Sequence, residues 1–263
     1  MLIRGTMGHI ICVASQKGGT GKTTTAVNLA ASFALLEKHT LLVDCDPLGN
    51  ATTGIGVDKS KLSHDLLDVF AGRSYPREVL VDSGIEYLQV LPARIGLHHA
   101  EESLSGRPDP ELFLRGAVRD VSMDFDFTVI DSPPSFGFLT KSALAASDFL
   151  LLPLQHQIYS FEGLSQLLHM VRGIQKKINP GLKIAGIFYT MCRNNLNTAH
   201  HSDTESLFYF KEKLFSTIIP WDDLLSEAAN LARPAALLDI MSKGAVAYLQ
   251  LAQELMDNLA DGH

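Results

Sequence analysis

The chain has 263 residues, 46% hydrophobic and 19% charged, which is the composition of an ordinary globular protein. With 22 basic against 29 acidic residues the formal net charge is −7, which argues against a large non-specific nucleic-acid surface and leaves room for a local basic patch. No apolar run reaches the roughly 18 residues of a membrane span, and the N-terminal MLIRGTMGH is too short to serve as a signal peptide before the glycine-rich stretch begins.

The first predicted element is a buried strand over residues 10–14 (IICVA). A glycine-rich turn follows, and a helix is expected over 22–37, with Ala26, Leu29, Ala30, Phe33 and Leu36 at helical spacing. Strand, glycine turn and helix together form the layout of a phosphate-binding loop. Gly18, Gly19 and Gly21 lack a Cβ, so the backbone can turn sharply and aim its N–H groups at phosphate oxygens. Lys22 supplies positive charge to the β/γ-phosphates, and Thr23 puts a hydroxyl where Mg²⁺ would sit. The stretch expected to hold nucleotide is Lys17, Gly18, Gly19, Thr20, Gly21, Lys22, Thr23 and Thr24.

A second buried strand, 40–43, ends in Asp44-Cys45-Asp46-Pro47. Carboxylates at the carboxyl end of a strand, beside a phosphate loop, sit where open α/β sheets place their chemistry. Residues 62–70 read as a short amphipathic helix, 86–91 as a strand, 103–110 as a loop and 110–121 as a helix. The strand 125–131 ends at Asp131, where Ser132-Pro133-Pro134 stops it. Asp131 has the position of an acidic residue that holds Mg²⁺ at a strand end.

Further strands are expected at 148–154, 183–191 and 216–220, and a long helix at 159–178 with Phe161, Leu164, Leu167, Leu168 and Val171 on one face. A polar loop and a helix are expected over 193–210. Cys12, Cys45 and Cys192 lie far apart without a C-x-x-C pair, as befits buried small hydrophobes in a reducing cytoplasm. The pairs His98-His99 and His200-His201 do not share a helix face and are expected to be solvated.

Counted back from Gly21, the generic phosphate-loop pattern wants glycine where Gln16 stands, and Lys17 follows it. The resulting K-G-G-T-G-K-T resembles the deviant Walker A loop of the ParA/MinD superfamily, which also contains the nitrogenase iron protein. LLVDCDPLGNATTG resembles that family's second signature, with Leu48 in place of the usual glutamine, and VIDSPPSFGFLTKSAL resembles its third. Near the C-terminus, Pro220, Glu227, Ala228, Ser242, Lys243, Gly244, Ala245 and Tyr248 match. The resemblance covers essentially all of residues 1–263 as a single ATPase domain. It implies an α/β fold with a mostly parallel, twisted sheet of about seven to eight strands and helices on both faces. It implies a Mg²⁺-dependent ATPase, slow and partner-stimulated, that forms a homodimer around ATP. Lys22 and Asp46 are its implied catalytic residues, with Lys17 acting across the dimer interface. Thr23, Asp46 and Asp131 are its implied metal residues, and Met191 and Pro220 extend the nucleotide site.

In the ParA/Soj-like partitioning branch the cycle segregates a chromosome or plasmid or positions a cargo, with a ParB-like activator and non-specific DNA as partners. A cytoplasmic, nucleoid-associated location follows from that branch. The family's two arginines after the last strand are replaced here by Trp221 and Leu224, with Asp222 and Asp223 between, so DNA binding is expected to be weakened. A protein surface docking through Trp221 is then the alternative matrix. The remaining basic candidates are Arg193, Lys211, Lys213, Arg233 and Lys243. A membrane-cycling branch of the MinD type is disfavoured because the C-terminal AYLQLAQELMDNLADGH carries no lysine or arginine. A reductase would need cluster cysteines that are absent, and an amidoligase of the cobyrinate type usually carries a further glutaminase domain.

Overall fold

A computed structural model describes residues 8–15, 17–155, 161–193 and 212–260. The strands are β1 (His9–Val13), β2 (Thr40–Asp44), β3 (Val81–Asp82), β4 (Leu88–Leu91), β5 (Phe127–Asp131), β6 (Phe149–Gln155) and β7 (Lys183–Thr190). Among the described residues they form one sheet in the order β3-β4-β2-β5-β1-β6-β7. All neighbours pair in parallel except β3, a two-residue edge strand antiparallel to β4. So short a strand carries no periodicity, and the sequence reading passed over it.

The helices are α1 (Lys22–Leu35), α2 (Asn50–Gly54), α3 (Leu66–Phe70), α4 (Pro76–Val79), α5 (Ala100–Ser103), α6 (Phe113–Ser122), α7 (Phe138–Ala146), α8 (Phe161–Lys177), α9 (Asp223–Asn230) and α10 (Lys243–Ala260). Alternation along the strands divides the core into two layers. Ile10, Cys12, Leu41, Val43 and Ile130 face α3, α6, α7 and α8. Ile11, Val13, Leu42 and Val129 face α1 and α10. On that second face Phe33 of α1 stacks on Phe127 of β5, with ring centroids 4.1 Å apart. All three cysteines are buried. On α8, Leu167 and Val171 are buried, as the predicted apolar stripe requires.

Helix α1 stops before the predicted residue 37 because Glu37 takes a left-handed conformation at φ 58°. The helix predicted from 110 opens instead as a short 3₁₀ turn, Pro110–Leu112, before α6. The strand predicted over 216–220 is not continuous. Leu214 bridges Ile187 and Pro220 bridges Cys192, both in parallel, so the chain runs beside β7 and touches it only at its ends. The carboxylate of Glu254 on α10 explains the gap. It accepts from the Ser216 and Thr217 N–H groups, at 2.7 and 2.9 Å, and so diverts two donors from a ladder. The loop and helix expected over 193–210 lie, apart from Arg193, outside the described residues, as do His200, His201 and Lys211.

Gly186 on β7 lets this segment close onto the sheet, since a Cβ there would sit 1.6 Å from Cε2 of Phe215, a residue only 2% exposed. We predict that Gly186→Ala costs about 1–3 kcal/mol by overpacking, read as a lower urea midpoint, and that adding Phe215→Leu restores part of it. An unchanged midpoint would disprove this packing of Phe215 on β7.

Candidate active site

The central strands β2, β5 and β1 end level with one another, because Asp131 pairs in register with Asp44 on one side and with Val13 on the other. The loop after β1 therefore leaves the sheet beside two strand-end carboxylates. In that loop Gly19 and Gly21 have φ of 78° and 87°, values that a side chain would strain. Helix α1 starts at Lys22 with no side-chain cap and no acidic residue in its first turn, so its leading amides face the loop without a competing acceptor.

Hydrogen bonds hold the loop closed. Ser15 Oγ lies 2.5 Å from Thr20 Oγ1, and Thr190 Oγ1 on β7 donates to the Thr20 carbonyl at 3.0 Å. Lys22 is 6% exposed, and its ammonium donates to the Lys17 carbonyl at 2.8 Å. Burial lowers the proton affinity of Lys22, and the carboxylates of Asp131 and Asp46 partly restore it. Lys17, half-buried at the front of the loop, follows Gln16, which lies outside the described residues.

Asp131 is fully buried, and neither of its carboxylate oxygens accepts a hydrogen bond of ordinary geometry. Burial pushes its carboxyl well above the usual range, and Asp44 and Asp46 push it further; the nearby Thr23 hydroxyl and Lys22 pull it down. An orphaned carboxylate beside a hydroxyl and a second carboxylate is a donor set of hard oxygens, which fits Mg²⁺. Asp44 is equally buried but fully engaged. It accepts from the Thr52 N–H and hydroxyl at 2.7 Å each and from the Asp46 N–H at 3.1 Å. Burial raises its pKa to about 6 despite these donors. Asp44 thus anchors the chain around Asp46, while Asp46 itself is 6% exposed beside the loop.

Three residues that complete this corner were missed in the sequence. Thr52 joins Asp44 to Ala93, whose N–H donates to the Thr52 hydroxyl at 3.0 Å. Lys59 donates to the carbonyls of Leu48 and Gly49 at 2.7 and 3.2 Å. Gly49 sits at φ 63°, where a Cβ would meet the Ala93 carbonyl at 2.5 Å. No local motif marks such partners. The asparagine, threonine and glycine content of the D-x-D-P turn was the only sign that a tight backbone path was needed.

Beyond Gly21 and Thr24 lies a pocket of about 370 Å³, lined also by Met191, Pro220, Trp221 and Leu225. Met191 and Pro220 thus lie on the same cavity as the phosphate loop, with Met191 in a left-handed conformation at φ 58°. His98 and His99 are exposed and away from the site, with rings bonded to Ile95 and Glu102. Asp222, expected with Asp223 to weaken DNA binding, has its carboxylate engaged by the protein itself. It caps α9 through the Leu224 N–H at 3.1 Å and accepts from the Gly244 N–H at 2.7 Å. Leu224 packs beside Ala228, Ala235 and Ala245. Only Asp223 stands exposed, accepting from the Trp221 indole N–H at 3.1 Å.

The AAA domain family model matches residues 8–184. The chain is 44% identical over 251 residues to the chromosome partitioning protein ParA of Myxococcus xanthus, covering 95% of this chain and 89% of that relative. It is 42% identical over 252 residues to the sporulation initiation inhibitor protein Soj of Bacillus subtilis, covering 96% of this chain and 100% of that relative. It resembles the crystal structure of cobyrinic acid a,c-diamide synthase from Mycobacterium smegmatis with bound ATP analogue and magnesium. There the TM-score is 0.84 and the identity 30%, over 97% of each chain.

The Thr52 contacts generate a prediction. Thr52→Val removes one donor from a buried carboxylate and one acceptor from the Ala93 N–H, so it should cost about 1–3 kcal/mol in urea denaturation, and Thr52→Ser should not. The raised pKa of Asp44 sets the sign with pH. Its contribution to stability is present below the unfolded value and is lost as pH rises through about 6. The valine variant keeps less support for the ionised form, so its deficit should be larger at about pH 8 than at about pH 5. A valine variant as stable as native at both would show that Asp44 does not depend on Thr52.

Proposed function

The chain belongs to the ParA/Soj family of partitioning ATPases, and we propose that residues 1–263 form one ATPase domain whose site lies at the level ends of β1, β5 and β2. It hydrolyses ATP with Mg²⁺ and uses the cycle for DNA partition or the positioning of a cargo. The observation that carries the site assignment is the buried, unpartnered carboxylate of Asp131 facing a glycine loop with a buried lysine. A phosphate loop supplies binding, and the uncompensated carboxylate supplies the reason for a divalent cation.

The loop amides from Lys17 to Thr24 and the Lys22 ammonium bind the phosphates, with the nucleotide replacing the Lys17 carbonyl as the partner of Lys22. Magnesium would be held by the Thr23 hydroxyl with Asp131 and Asp46, and when bound it supplies positive charge to phosphate oxygens. Asp46 orients the attacking water. As the water oxygen bonds to the γ-phosphorus, its proton passes to an oxygen of the phosphate product, the bond to the β-phosphate oxygen breaks, and ADP departs with that electron pair. Asp44, Thr52 and Lys59 support Asp46 by fixing the backbone before and after it. Catalysis of this kind is positioning plus charge stabilisation. Lys17 reaches the nucleotide of a second copy in an ATP-bound homodimer. A ParB-like or other activating protein stimulates turnover, and the cycle runs in the cytoplasm. No described helix is long and apolar enough to cross a membrane.

A second reading, ATP-driven amidation, comes from the likeness to cobyrinic acid a,c-diamide synthase. Length does not separate the two, since that chain matches over 97% of itself. Identity does: 44% and 42% to the ParA and Soj relatives against 30%.

We predict that Lys22→Ala weakens ATP binding about tenfold to a hundredfold in calorimetry, the loss of roughly 1.5–3 kcal/mol in charge-assisted contact. Asp46→Ala should bind ATP at native affinity and scarcely turn it over. Native turnover by Asp46→Ala would mean that another group orients the water.

Assembly gives a second test. Light scattering should show a dimer with a non-hydrolysable ATP analogue, and Lys17→Ala should reduce it. Arg193 is stacked on Trp221, and Asp223 stands exposed nearby, so phosphates meet little free positive charge there. We predict weak or no DNA binding by the dimer at roughly 150 mM salt, measured by fluorescence anisotropy. Submicromolar binding that is lost on mutating Arg193, Lys211, Lys213, Arg233 and Lys243 would overturn this and restore the ordinary DNA matrix.

A further inference from the structure

We infer that Arg94 and Asp65 are positioning residues for Asp46: their ion pair sets the turn that aims the water-orienting carboxylate, and so governs turnover while leaving nucleotide affinity alone. The inference rests on the ATPase reading above. Asp46 follows β2, and a chain of buried hydrogen bonds leads away from it. The Asp46 N–H donates to one carboxylate oxygen of Asp44, and the Thr52 N–H and hydroxyl hold the other. The Ala93 N–H in turn donates to the Thr52 hydroxyl at 3.0 Å. The Ala93 carbonyl lies against Gly49 of the same turn, where a Cβ would meet it at 2.5 Å. Whatever fixes Ala93 therefore fixes the backbone on both sides of Asp46.

Ala93 has no polar side chain of its own, and its neighbours in the chain do the holding. The Pro92 carbonyl accepts from the Leu66 N–H at 2.9 Å. Arg94 reaches 29 residues back to Asp65, donating from Nε at 2.5 Å, and donates from Nη1 to the Leu62 carbonyl at 3.0 Å. The Asp65 side chain is only 5% exposed and that of Arg94 35%, so this pair is shielded from the water that weakens surface ion pairs. A guanidinium that makes two directed bonds fixes an orientation as well as a distance, which an ammonium does not. Asp65 is itself anchored. Its other carboxylate oxygen caps α3 by accepting from the Leu67 N–H at 2.8 Å, and its own N–H donates to Asp68 at 3.0 Å. The start of α3 is thus a fixed post, Arg94 is the tie, and Ala93 is where the tie meets the acidic corner. These bonds run to Asp46 and not to the phosphate loop, so their loss falls on the attacking water and not on the phosphates. Misplacing a reacting group by about 1 Å costs on the order of a hundredfold in rate, and a slackened tie costs part of that.

ATP hydrolysis by the full chain with Mg²⁺, beside calorimetry with a non-hydrolysable ATP analogue, tests this. Arg94→Met should lower kcat about tenfold and leave affinity for the analogue within about twofold of native. Arg94→Lys should recover part of the loss. Arg94→Met leaves a buried carboxylate unpaired, so Asp65→Asn combined with Arg94→Met is measured as well. Asparagine still caps α3 and no buried charge remains, and this folded chain should show the same loss of kcat. In a Thr52→Val background, where the chain of bonds is already cut, Arg94→Met should cost a smaller factor than in the native chain. Native kcat in both Arg94→Met and the combined variant would overturn the inference. So would an equal loss of kcat and affinity, which would mean a general disturbance, or the same factor lost in the Thr52→Val background as in the native chain. A native chain that neither binds the analogue nor hydrolyses ATP would overturn the ATPase reading itself, and this inference with it.

Discussion

A carboxylate buried without a partner is costly, and this sheet places one at its centre. Asp131 cannot reach water, and Asp44 and Asp46 surround it with more acid. The buried ammonium of Lys22 relieves this only in part. A core optimised for stability alone would replace such a group, because desolvation outweighs a single imperfect attraction. In the function proposed above, the missing charge is brought in by the ligand. The glycine loop, the buried lysine and the Thr23 hydroxyl all converge on this charge.

Helix α1 transmits the arrangement to the rest of the molecule. Its first residue is the buried lysine, and three further contacts tie it and its loop to distant parts of the chain. Thr190 on β7 holds the Thr20 carbonyl, Thr25 meets the Tyr248 hydroxyl of α10 at 3.2 Å, and Asn28 accepts from the Ala235 N–H at 2.8 Å. The pocket beyond Gly21 is built from these same neighbours, since Thr190, Met191 and Tyr248 line it. The phosphate loop and this pocket are thus held by one helix and the strand beside it. The acidic corner has further support in Asp44, Thr52 and Ala93, which hold the backbone on either side of Asp46.

The sequence alone determined what depends on neighbours along the chain. The apolar runs of β1, β2, β5 and β6 announce buried strands because both faces of those strands are covered. The glycines of the phosphate loop announce its turn because only they take φ near 80° without strain. Asp131 was identifiable because a carboxylate ending a buried strand, stopped by two prolines, has few structural uses. The tertiary structure decided what depends on partners far apart in the chain. The sheet order sets Asp44 and Val13 on either side of Asp131, although 87 and 118 residues separate them from it. Glu254 interrupts the strand expected at 216–220, Asp222 turns inward to Gly244, and Trp221 turns to a pocket that begins at Gly21. Each of these side chains has the same local pattern whether it faces solvent or a distant backbone. Propensity and periodicity report φ, ψ and burial, whereas a hydrogen-bond partner is fixed only when crossovers of the chain bring two strand ends together.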